Sequence, residues 1–542
     1  MRHISRGVGA AVLAVSLVAS ASACATDSAT DTEGDAPGIA AAEVDGDRVA
    51  VDADGSGVET TRLLVESAPV VVVAAPDEAA QARAASVAVG LRAPMLTAVD
   101  GGDDALSEEL DRVGAERVLR VGEVAFTPDD GEVVDAPTGR SGLEELTGIT
   151  FDSELEVPAD RIDDVTVHQA PGSPSLMVSG EVTAGGEPAA GVEAFSAGGP
   201  AWTADEAPRV LVYDRTPVAA VATAVASGAA VSHLRIPDPR VDGGSVDAVE
   251  DADAVVALGP GWGTEQDLAD RVEAARTVPE LPGGGQLLFP GRRFVAAYGS
   301  PITPTLGILG EQGPQESVAR VEQLVDEYQP YSPEPVIPAF EIIATVASTE
   351  PGPDGNYTNE WGLEEFTPLV DAITEAGGYA VIDLQPGMAD LLDQAKLFEE
   401  LLTRPNVGLA LDPEWKLEPG QQPGAQIGSA SADEINRVTR WLADLTRDTG
   451  GPQKLLILHQ FSMAMITDRD RIDTSRPEVA ISLHADGHGT PDLKLETWEV
   501  LQQGLSQDIW MAWKNFYDED TPTFTPEQTM AVEPRPWFVS YQ

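Results

Sequence analysis

The sequence predicts an α/β protein, with one or more N-terminal parallel α/β domains followed by a C-terminal (β/α)8 barrel of the TIM type. In the N-terminal half, short runs rich in β-branched residues alternate with helical segments, and the same order of segments occurs twice. After residue 290, eight strand-like runs follow one another, and helical segments separate most of them. Apolar runs that alternate with helices are typical of parallel strands covered on both faces. Eight such runs predict a closed barrel, with a doubly wound open sheet as the alternative.

The composition limits the class of protein. A chain of 542 residues is long enough for two or three domains, and a hydrophobic fraction of 42% excludes wholesale disorder. The 90 acidic and 33 basic residues give a formal charge of -57. This charge argues against nucleic acid as a partner, because phosphate binding depends on clustered Lys and Arg. It is more typical of a strongly hydrated surface under salty or extracellular conditions.

Residues 1–24 have the pattern of a signal peptide. Basic residues within the first six positions precede an apolar core at residues 8–18, and small residues precede Cys24. Cys24 is the only cysteine, and its placement resembles a bacterial lipobox, which implies a lipid on Cys24 that holds the protein to the membrane. Ordinary cleavage that releases a soluble protein is the alternative. Residues 25–60 are expected to form a flexible linker.

The α/β region is expected to cover residues 61–285 and to contain two similar units. In the first unit, strands are predicted at 70–75, 93–97 and 117–122, and helices at 77–91 and 106–113. In the second unit, strands are predicted at 210–213, 231–236 and 254–258, and helices at 216–227 and from 264 onward. Residues 125–205, between the two units, show no sustained period and are expected to form an irregular or β-rich insertion.

Short motifs in both units point to a known kind of repeat. The motifs in the first unit are Leu91-Arg92-Ala93-Pro94-Met95-Leu96 and Val118-Leu119-Arg120-Val121-Gly122, and the motif in the second unit is Val255-Val256-Ala257-Leu258-Gly259. They resemble the second strand and the closing strand of cell wall-binding repeat 2. The resemblance implies association with the cell envelope.

The barrel is expected to cover residues 290–542. Its eight strands are predicted at 294–298, 337–347, 379–384, 407–412, 455–459, 479–484, 509–513 and 536–541. Helices are predicted at 316–328, 364–375, 389–402, 432–447 and 493–503. The seventh helix is expected to be reduced to a turn near residues 526–529, and no helix is expected after the eighth strand.

The predicted fourth strand ends in two carboxylates and an aromatic ring. Because side chains alternate along a strand, Asp412 and Glu414 share a face with the small residues Gly408 and Ala410. Small residues suit the crowded axis of a barrel, and chemistry is found at the C-terminal ends of barrel strands. The alternative is that both acids simply begin a solvated loop.

Polar side chains also follow the other predicted strands, so that one rim of the barrel carries most of them. The opposite ends of the strands carry far fewer polar groups, with Glu341 as the main exception. The polar residues at the expected rim are Tyr298, Asp383, Gln385, Asp412, Glu414, His459, Gln460, His484, Asp486, His488, Lys514, Asn515, Ser540 and Tyr541.

Glycoside hydrolases commonly use a pair of carboxyl groups beside aromatic rings. The run from Val407 to Glu414 resembles the D-G-x-D-x-D-x-E pattern of chitinase-like (glycoside hydrolase family 18) barrels and also resembles GH25 lysozyme-like barrels. It keeps the Gly and the final Asp-x-Glu, whereas Val407 and Ala410 replace the first two acids. The resemblance implies that Glu414 is the general acid and that Asp412 is its neighbour, which orients an N-acetyl group or raises the pKa of the acid. Asp383 and Asp486 are the candidates for the second catalytic carboxylate.

The remaining rim residues are expected to bind substrate. Tryptophan rings would stack on sugar faces, and polar side chains would bind hydroxyl groups. The expected substrate-binding residues are Gln385, Trp415, His459, His484, Trp513, Lys514, Asn515 and Tyr541. Metal ligands could instead come from His484, Asp486 and His488 together with His459 or Asp383.

These observations predict a cell-envelope glycoside hydrolase that acts on a wall polysaccharide outside the cytoplasm and needs no cofactor or metal. A lipid-anchored protein that binds an envelope glycan without cleaving it is the first alternative. A metal-dependent barrel hydrolase is the second. The usual motifs of serine hydrolases, P-loop nucleotide-binding proteins and zinc proteases do not occur in the sequence.

Overall fold

The computed structural model describes residues 38–128, 130–170, 174–183, 191–199, 201–203, 205–422 and 424–542. The predicted signal peptide, the lipidation predicted at Cys24 and the first part of the predicted linker lie outside the described residues. None of the helices within the described ranges is long and apolar enough to cross a lipid bilayer.

Eight parallel strands form a closed barrel in the C-terminal half, as the sequence predicts. The first strand pairs with both the second and the eighth, so the doubly wound alternative is wrong. A short strand, Thr358–Glu360, is added to the second strand in antiparallel orientation. The first to eighth barrel strands are Arg293–Gly299, Val336–Ala347, Tyr379–Leu384, Val407–Leu411, Lys454–Gln460, Val479–Ala485, Trp510–Asn515 and Phe538–Tyr541.

Helices cover the outside of the barrel. The connection between the fifth and sixth strands has no α-helix and contains the 3-10 turns Met463–Met465 and Arg469–Arg471 and the short strand Ile466–Thr467, which pairs with Ala430–Ser431. The predicted turn after the seventh strand is a five-residue helix. The helices of this half are Pro314–Tyr328, Thr367–Glu375, Leu391–Lys396, Glu399–Leu402, Ala432–Asp448, Pro491–Gln502 and Pro526–Met530.

The longest of these helices shows how local sequence and packing agree. Ser431 caps its first turn and Glu434 bonds back to the backbone of Ser431, which forms a reciprocal capping box. Ile435, Val438 and Leu442 recur at helical spacing and are fully buried. The helix therefore begins at a strong N-terminal capping signal and buries one apolar face against the barrel.

The interior of the barrel is apolar at the N-terminal ends of the strands. Rings of Phe294, Tyr379 and Phe538 meet there, and Phe289, from the segment that precedes the barrel, packs against Phe294. Gly408 lies where the interior is most crowded, because a Cβ atom at this position would be 2.7 Å from the carbonyl oxygen of Leu455. This end is closed, so a ligand can reach the interior only from the opposite end.

The N-terminal region contains two four-stranded parallel sheets with matching strand order, which confirms the internal repeat. In each sheet, the first strand of the unit lies between the second and third strands. The first sheet has the order Met95–Thr97, Val70–Ala74, Arg117–Val121 and Glu132–Asp135. The second has the order Ala230–Leu234, Arg209–Tyr213, Val255–Leu258 and Arg48–Ala50. The associated helices are Glu78–Leu91, Asp103–Val113, Val218–Ser227, Gly243–Glu250 and Glu265–Thr277, of which Gly243–Glu250 is not predicted from the sequence.

Two stretches of this region contain more regular structure than the sequence suggests. Residues 48–60, expected within the linker, contain the strand Arg48–Ala50 and the start of the helix Val58–Leu64, and this strand pairs with Val255–Leu258. Within residues 125–205, the strand Glu132–Asp135 extends the first sheet. The same stretch also contains the helices Arg140–Thr147 and Ile162–Val167 and the paired strands Glu154–Glu156 and Leu176–Val178.

Candidate active site

A cavity of about 490 Å³ opens at the C-terminal ends of the barrel strands. It combines three acidic side chains from the rim with a lysine and several aromatic rings. Its lining includes Tyr298, Gln385, Asp412, Glu414, Trp415, Phe461, Asp486, His488, Glu496, Thr497, Lys514 and Phe516. The position agrees with the general rule that functional sites of such barrels lie at this face.

Glu414 and Asp412 enter the cavity from the end of the fourth strand. A 3-10 turn, Pro413–Trp415, follows the strand, and the backbone N–H of Glu414 donates to Oδ1 of Asp412 at 3.3 Å. Burial raises the pKa of Glu414 to about 7, and the negative charge of Asp486 adds to this effect. Burial, and then the charge of Glu414, raise the pKa of Asp412 well above its ordinary value. Both groups therefore favour the protonated form more than an exposed carboxyl group does.

Asp486, at the end of the sixth strand, lies in a different environment. Its Oδ2 atom is 2.8 Å from Nδ1 of His459 and 3.6 Å from Nζ of Lys514. Burial alone would raise the pKa of Asp486, but the charge of Lys514 and the hydrogen bond from His459 outweigh burial and lower it. Two carboxyl groups of one cavity thus have pKa values shifted in opposite directions.

His459 connects the cavity to a layer of polar side chains deeper in the barrel. Its Nε2 atom lies 2.8 Å from Oε1 of Glu341, and both side chains are fully buried. Burial opposes a charge on His459, but Glu341, Asp383 and Asp486 together raise its pKa well above the ordinary value. The sequence interpretation treated Glu341 only as an exception at the wrong end of a strand. Because Glu341 pairs in register with Tyr298, it lies within the barrel among the site residues.

Asp383 and His484 also belong to this deeper layer and do not line the cavity. The hydroxyl group of Tyr298 donates to Oδ2 of Asp383 at 2.8 Å, and burial raises the pKa of Asp383. Nε2 of His484 lies 3.1 Å from Oγ of Ser540, and burial lowers the pKa of His484. The structure therefore brings both residues near the rim carboxylates but places them beneath the cavity.

Two further residues that the sequence predicts for binding do line the cavity. Nζ of Lys514 lies 3.7 Å from the ring centre of Tyr298, which fixes the ammonium group over an aromatic face. Gln385 accepts a hydrogen bond from the backbone of Ala347 at 3.1 Å. These contacts hold both side chains at the cavity wall.

The structure corrects the prediction for Trp513, Asn515 and Tyr541. These residues alternate with the inward-facing Lys514 and Ser540, so they point outward into the layer between strands and helices. Nε1 of Trp513 donates to Asn515, and the hydroxyl groups of Tyr541 and Tyr328 are 2.8 Å apart. All three side chains are buried in this layer and cannot contact a ligand in the cavity.

Aromatic residues that the sequence interpretation did not select complete the cavity wall. Phe461 and Phe516 each follow the last residue of a barrel strand, and both line the cavity. His488, which the sequence does predict at the rim, also lines the cavity, and its ring packs 5.6 Å from that of Phe516. The signal in the sequence for Phe461 and Phe516 is their position shortly after a predicted strand.

Trp415 is the tryptophan expected to contact a ligand. Its Nε1 atom is buried and has no hydrogen-bond partner among the described residues, so it can donate to a ligand. We expect Trp415→Ala to weaken glycan binding about tenfold, because aromatic contacts contribute about 0.5–1.5 kcal/mol beyond burial of their area. Trp513→Phe should lower the melting temperature and leave the Kd unchanged. Titration calorimetry and thermal denaturation of both variants would measure this, and equal losses of affinity would contradict the assignment.

Comparisons with known proteins show only distant structural similarity. No family model and no curated protein match this sequence. Among solved structures, Cwp6 from Clostridium difficile is similar at 11% identity and a TM-score of 0.30, over 62% of each chain. This chain therefore covers 62% of the length of Cwp6. A hyperthermophilic endo-beta-1,4-glucanase is similar at 8% identity and a TM-score of 0.22, over 38% of this chain and 77% of the enzyme. Similarity this low carries no argument about function.

Proposed function

We propose that the barrel hydrolyses glycosidic bonds of a cell-envelope polysaccharide, with Glu414 as the general acid and Asp486 as the second carboxylate. The observation that carries the proposal is the unequal environment of these two groups in one cavity. Asp486 is held by His459 and Lys514. The carboxyl group of Glu414 has no ion-pair or hydrogen-bond partner among the described side chains, and its pKa is raised to about 7. Pairs of carboxyl groups with opposed environments commonly divide the roles of acid and base.

The roles follow from what hydrolysis of a glycosidic bond requires. The leaving oxygen needs a proton, which the protonated Glu414 can deliver from the end of the fourth strand. The developing positive charge at the anomeric carbon needs an ionised carboxylate on the other side, which Asp486 supplies either as nucleophile or as the base that activates water. Asp486 is preferred over Asp383 because Asp486 lines the cavity and Asp383 is sealed beneath it.

Sugar binding would use the apolar part of the same cavity. The rings of Trp415, Phe461 and Phe516 line it and offer flat surfaces for sugar faces. Lys514 and Gln385 offer donors and acceptors for hydroxyl groups. The combination of a few polar groups with aromatic walls is typical of a small-molecule or oligosaccharide site.

The location that we propose is outside the cytoplasm, at the cell envelope. The export-type pattern at residues 1–24 and the resemblance of both N-terminal units to cell wall-binding repeats support it. We propose that a lipid on Cys24 holds the protein to the membrane and that the α/β region and the barrel are separate domains, the former binding the wall.

Binding without hydrolysis is the second candidate function. It is favoured by one observation, namely that Val407 and Ala410 replace two acids of the chitinase-like pattern. Peptidoglycan and other purified wall polysaccharides, incubated with the full chain, would separate the two functions. New reducing ends, absent with the double variant Asp412→Asn and Glu414→Gln, would support hydrolysis. Tight binding without release of reducing ends from any wall glycan would support the binding function.

A further inference from the structure

We propose that the barrel core beneath the cavity binds a divalent transition-metal ion through Glu341, His459 and His484. The second, fifth and sixth barrel strands supply these groups. The proposal goes beyond the hydrolytic function, because neither Glu414 nor Asp486 is among the ligands.

The ligand atoms are spaced as a single ion requires. Nε2 of His459 lies 2.8 Å from Oε1 of Glu341 and 4.0 Å from Oδ1 of Asp383. Nδ1 of His484 lies 3.7 Å from the same oxygen of Glu341. Nitrogen and oxygen ligands at about 2.0–2.2 Å from a zinc ion are separated from one another by about 3–4 Å. The group Glu341, His459 and His484 has its ligand atoms within 4.8 Å of one another.

Several of these atoms lack any other partner. Oε2 of Glu341, Oδ1 of Asp383 and Nδ1 of His484 are buried without a hydrogen-bond partner among the described residues. Buried polar atoms are normally satisfied, because leaving them unpaired is costly. An ion between Glu341 and the two histidines would give Nδ1 of His484 a partner.

The opposite nitrogen of each imidazole ring is already engaged. Nδ1 of His459 contacts Oδ2 of Asp486 at 2.8 Å, and Nε2 of His484 contacts Oγ of Ser540 at 3.1 Å. Histidine ligands of metals usually use their second nitrogen in this way, which fixes the ring and its tautomer. Both rings therefore turn their other nitrogen toward Glu341.

The charge of this part of the barrel also favours a cation. Six carboxyl groups lie in the cavity and the layer beneath it, and Lys514 is ion-paired with one of them. A proton on Nε2 of His459 would neutralise one further charge, and it would occupy the space between His459 and Glu341 that the ion needs. Two imidazoles with carboxylates favour zinc or a neighbouring transition metal over magnesium or calcium, which prefer oxygen ligands.

The site is enclosed, so we expect the ion to have a structural role. Glu341, His459 and His484 are fully buried and do not line the cavity. Because all three ligands are buried, the arrangement resembles an enclosed structural site more than an open catalytic one. The ion would hold the second, fifth and sixth strands together and fix the ring of His459 against Asp486.

Metal content measured on the full chain tests the proposal. The protein would be produced in medium supplemented with Zn²⁺ or with Co²⁺, passed over a chelating resin and analysed by mass spectrometry of the metal. We expect about one ion per chain, and we expect the Co²⁺ form to show the visible absorption of a four-coordinate site. Glu341→Gln and His484→Asn should reduce the content at least tenfold, whereas His168→Asn, at an exposed histidine, should not.

Two results would overturn the proposal. One is a wild-type metal content no higher than that of Glu341→Gln. The other is wild-type protein that retains less than about a tenth of an ion per chain in both media. This measurement uses the wild type alone, so it does not depend on whether any variant folds. This second result would leave the contact between His459 and Glu341 as an ordinary hydrogen bond. Reducing-end release from wall glycans by a metal-free wild type would leave the hydrolytic function intact.

Discussion

Replacing Glu414 with glutamine is expected to lower kcat for glycan hydrolysis by about 10²–10⁴-fold, the usual contribution of a general acid. Glutamine keeps the shape of the side chain but cannot deliver a proton to the leaving oxygen. Binding should change little, because the aromatic wall of the cavity is untouched. Initial rates of reducing-end release and a separate binding titration would measure the two effects.

The pH dependence of the wild type provides a second measure of the same role. A general acid acts in its protonated form, and burial, with Asp486 next, raises the pKa of Glu414 to about 7. Activity should therefore be present below pH 7 and fall about tenfold per pH unit above it. The charged groups that influence the pKa of Glu414, and therefore this decrease in activity, are Asp383, Asp486, His459 and Lys514. The residual activity of Glu414→Gln should not decrease in this way above pH 7.

A matched control variant and a second substrate test whether Glu414 acts as the general acid. Glu418→Gln removes an exposed carboxyl group four residues away and should leave kcat unchanged. On an aryl glycoside with a good leaving group, protonation matters less, so the defect of Glu414→Gln should shrink. A Glu414→Gln variant that hydrolyses the natural glycan at the wild-type rate would remove Glu414 from the mechanism.

Asp486→Asn should have an effect of similar size, about 10²–10⁴-fold in kcat, for a different reason. The variant keeps a hydrogen-bond partner for His459 but loses the negative charge that stabilises or attacks the anomeric carbon. Unlike the Glu414 defect, this loss should persist on substrates with good leaving groups. The exposed Asp518→Asn is the control.

The anomer formed first by the wild type would then define the role of Asp486. Retained configuration, measured by NMR during early turnover, assigns Asp486 as a nucleophile, and inverted configuration assigns it as the base for water. Full activity of Asp486→Asn combined with loss of activity in Asp383→Asn would transfer the role to Asp383.

The sequence predicts the barrel well because its strands and helices carry strong local periodicity. All eight strands were placed within a few residues, and the small residues Gly408 and Ala410 correctly marked the inward face of the fourth strand. Which residues of the seventh strand face inward was not predictable in the same way. Its sequence, from Trp510 to Asn515, has no alternation of polar and apolar residues, so Trp513 and Asn515 were expected at the site although they point outward.

The sequence also does not predict how deep within the barrel a side chain lies. Asp383 and Asp486 both come at strand ends, yet only Asp486 reaches the cavity, because depth depends on how neighbouring strands are offset. Glu341 lies in the middle of a twelve-residue strand, where a single acid has no local signal of function. Its importance follows only from the pairing that places it beside Tyr298 and across from His459.

The two strands that complete the second N-terminal sheet and the barrel have a consequence for the order of folding. Arg48–Ala50 pairs with a strand about 200 residues later, and the barrel cannot close before Phe538–Tyr541 has been synthesised. Contacts of such long sequence separation form late, and unpaired strand edges remain open until then. If residues 1–24 direct translocation of an unfolded chain, both closures would take place only on the far side of the membrane. The proposed hydrolytic site lies in a barrel that the eighth strand closes, so it would then first exist outside the cell.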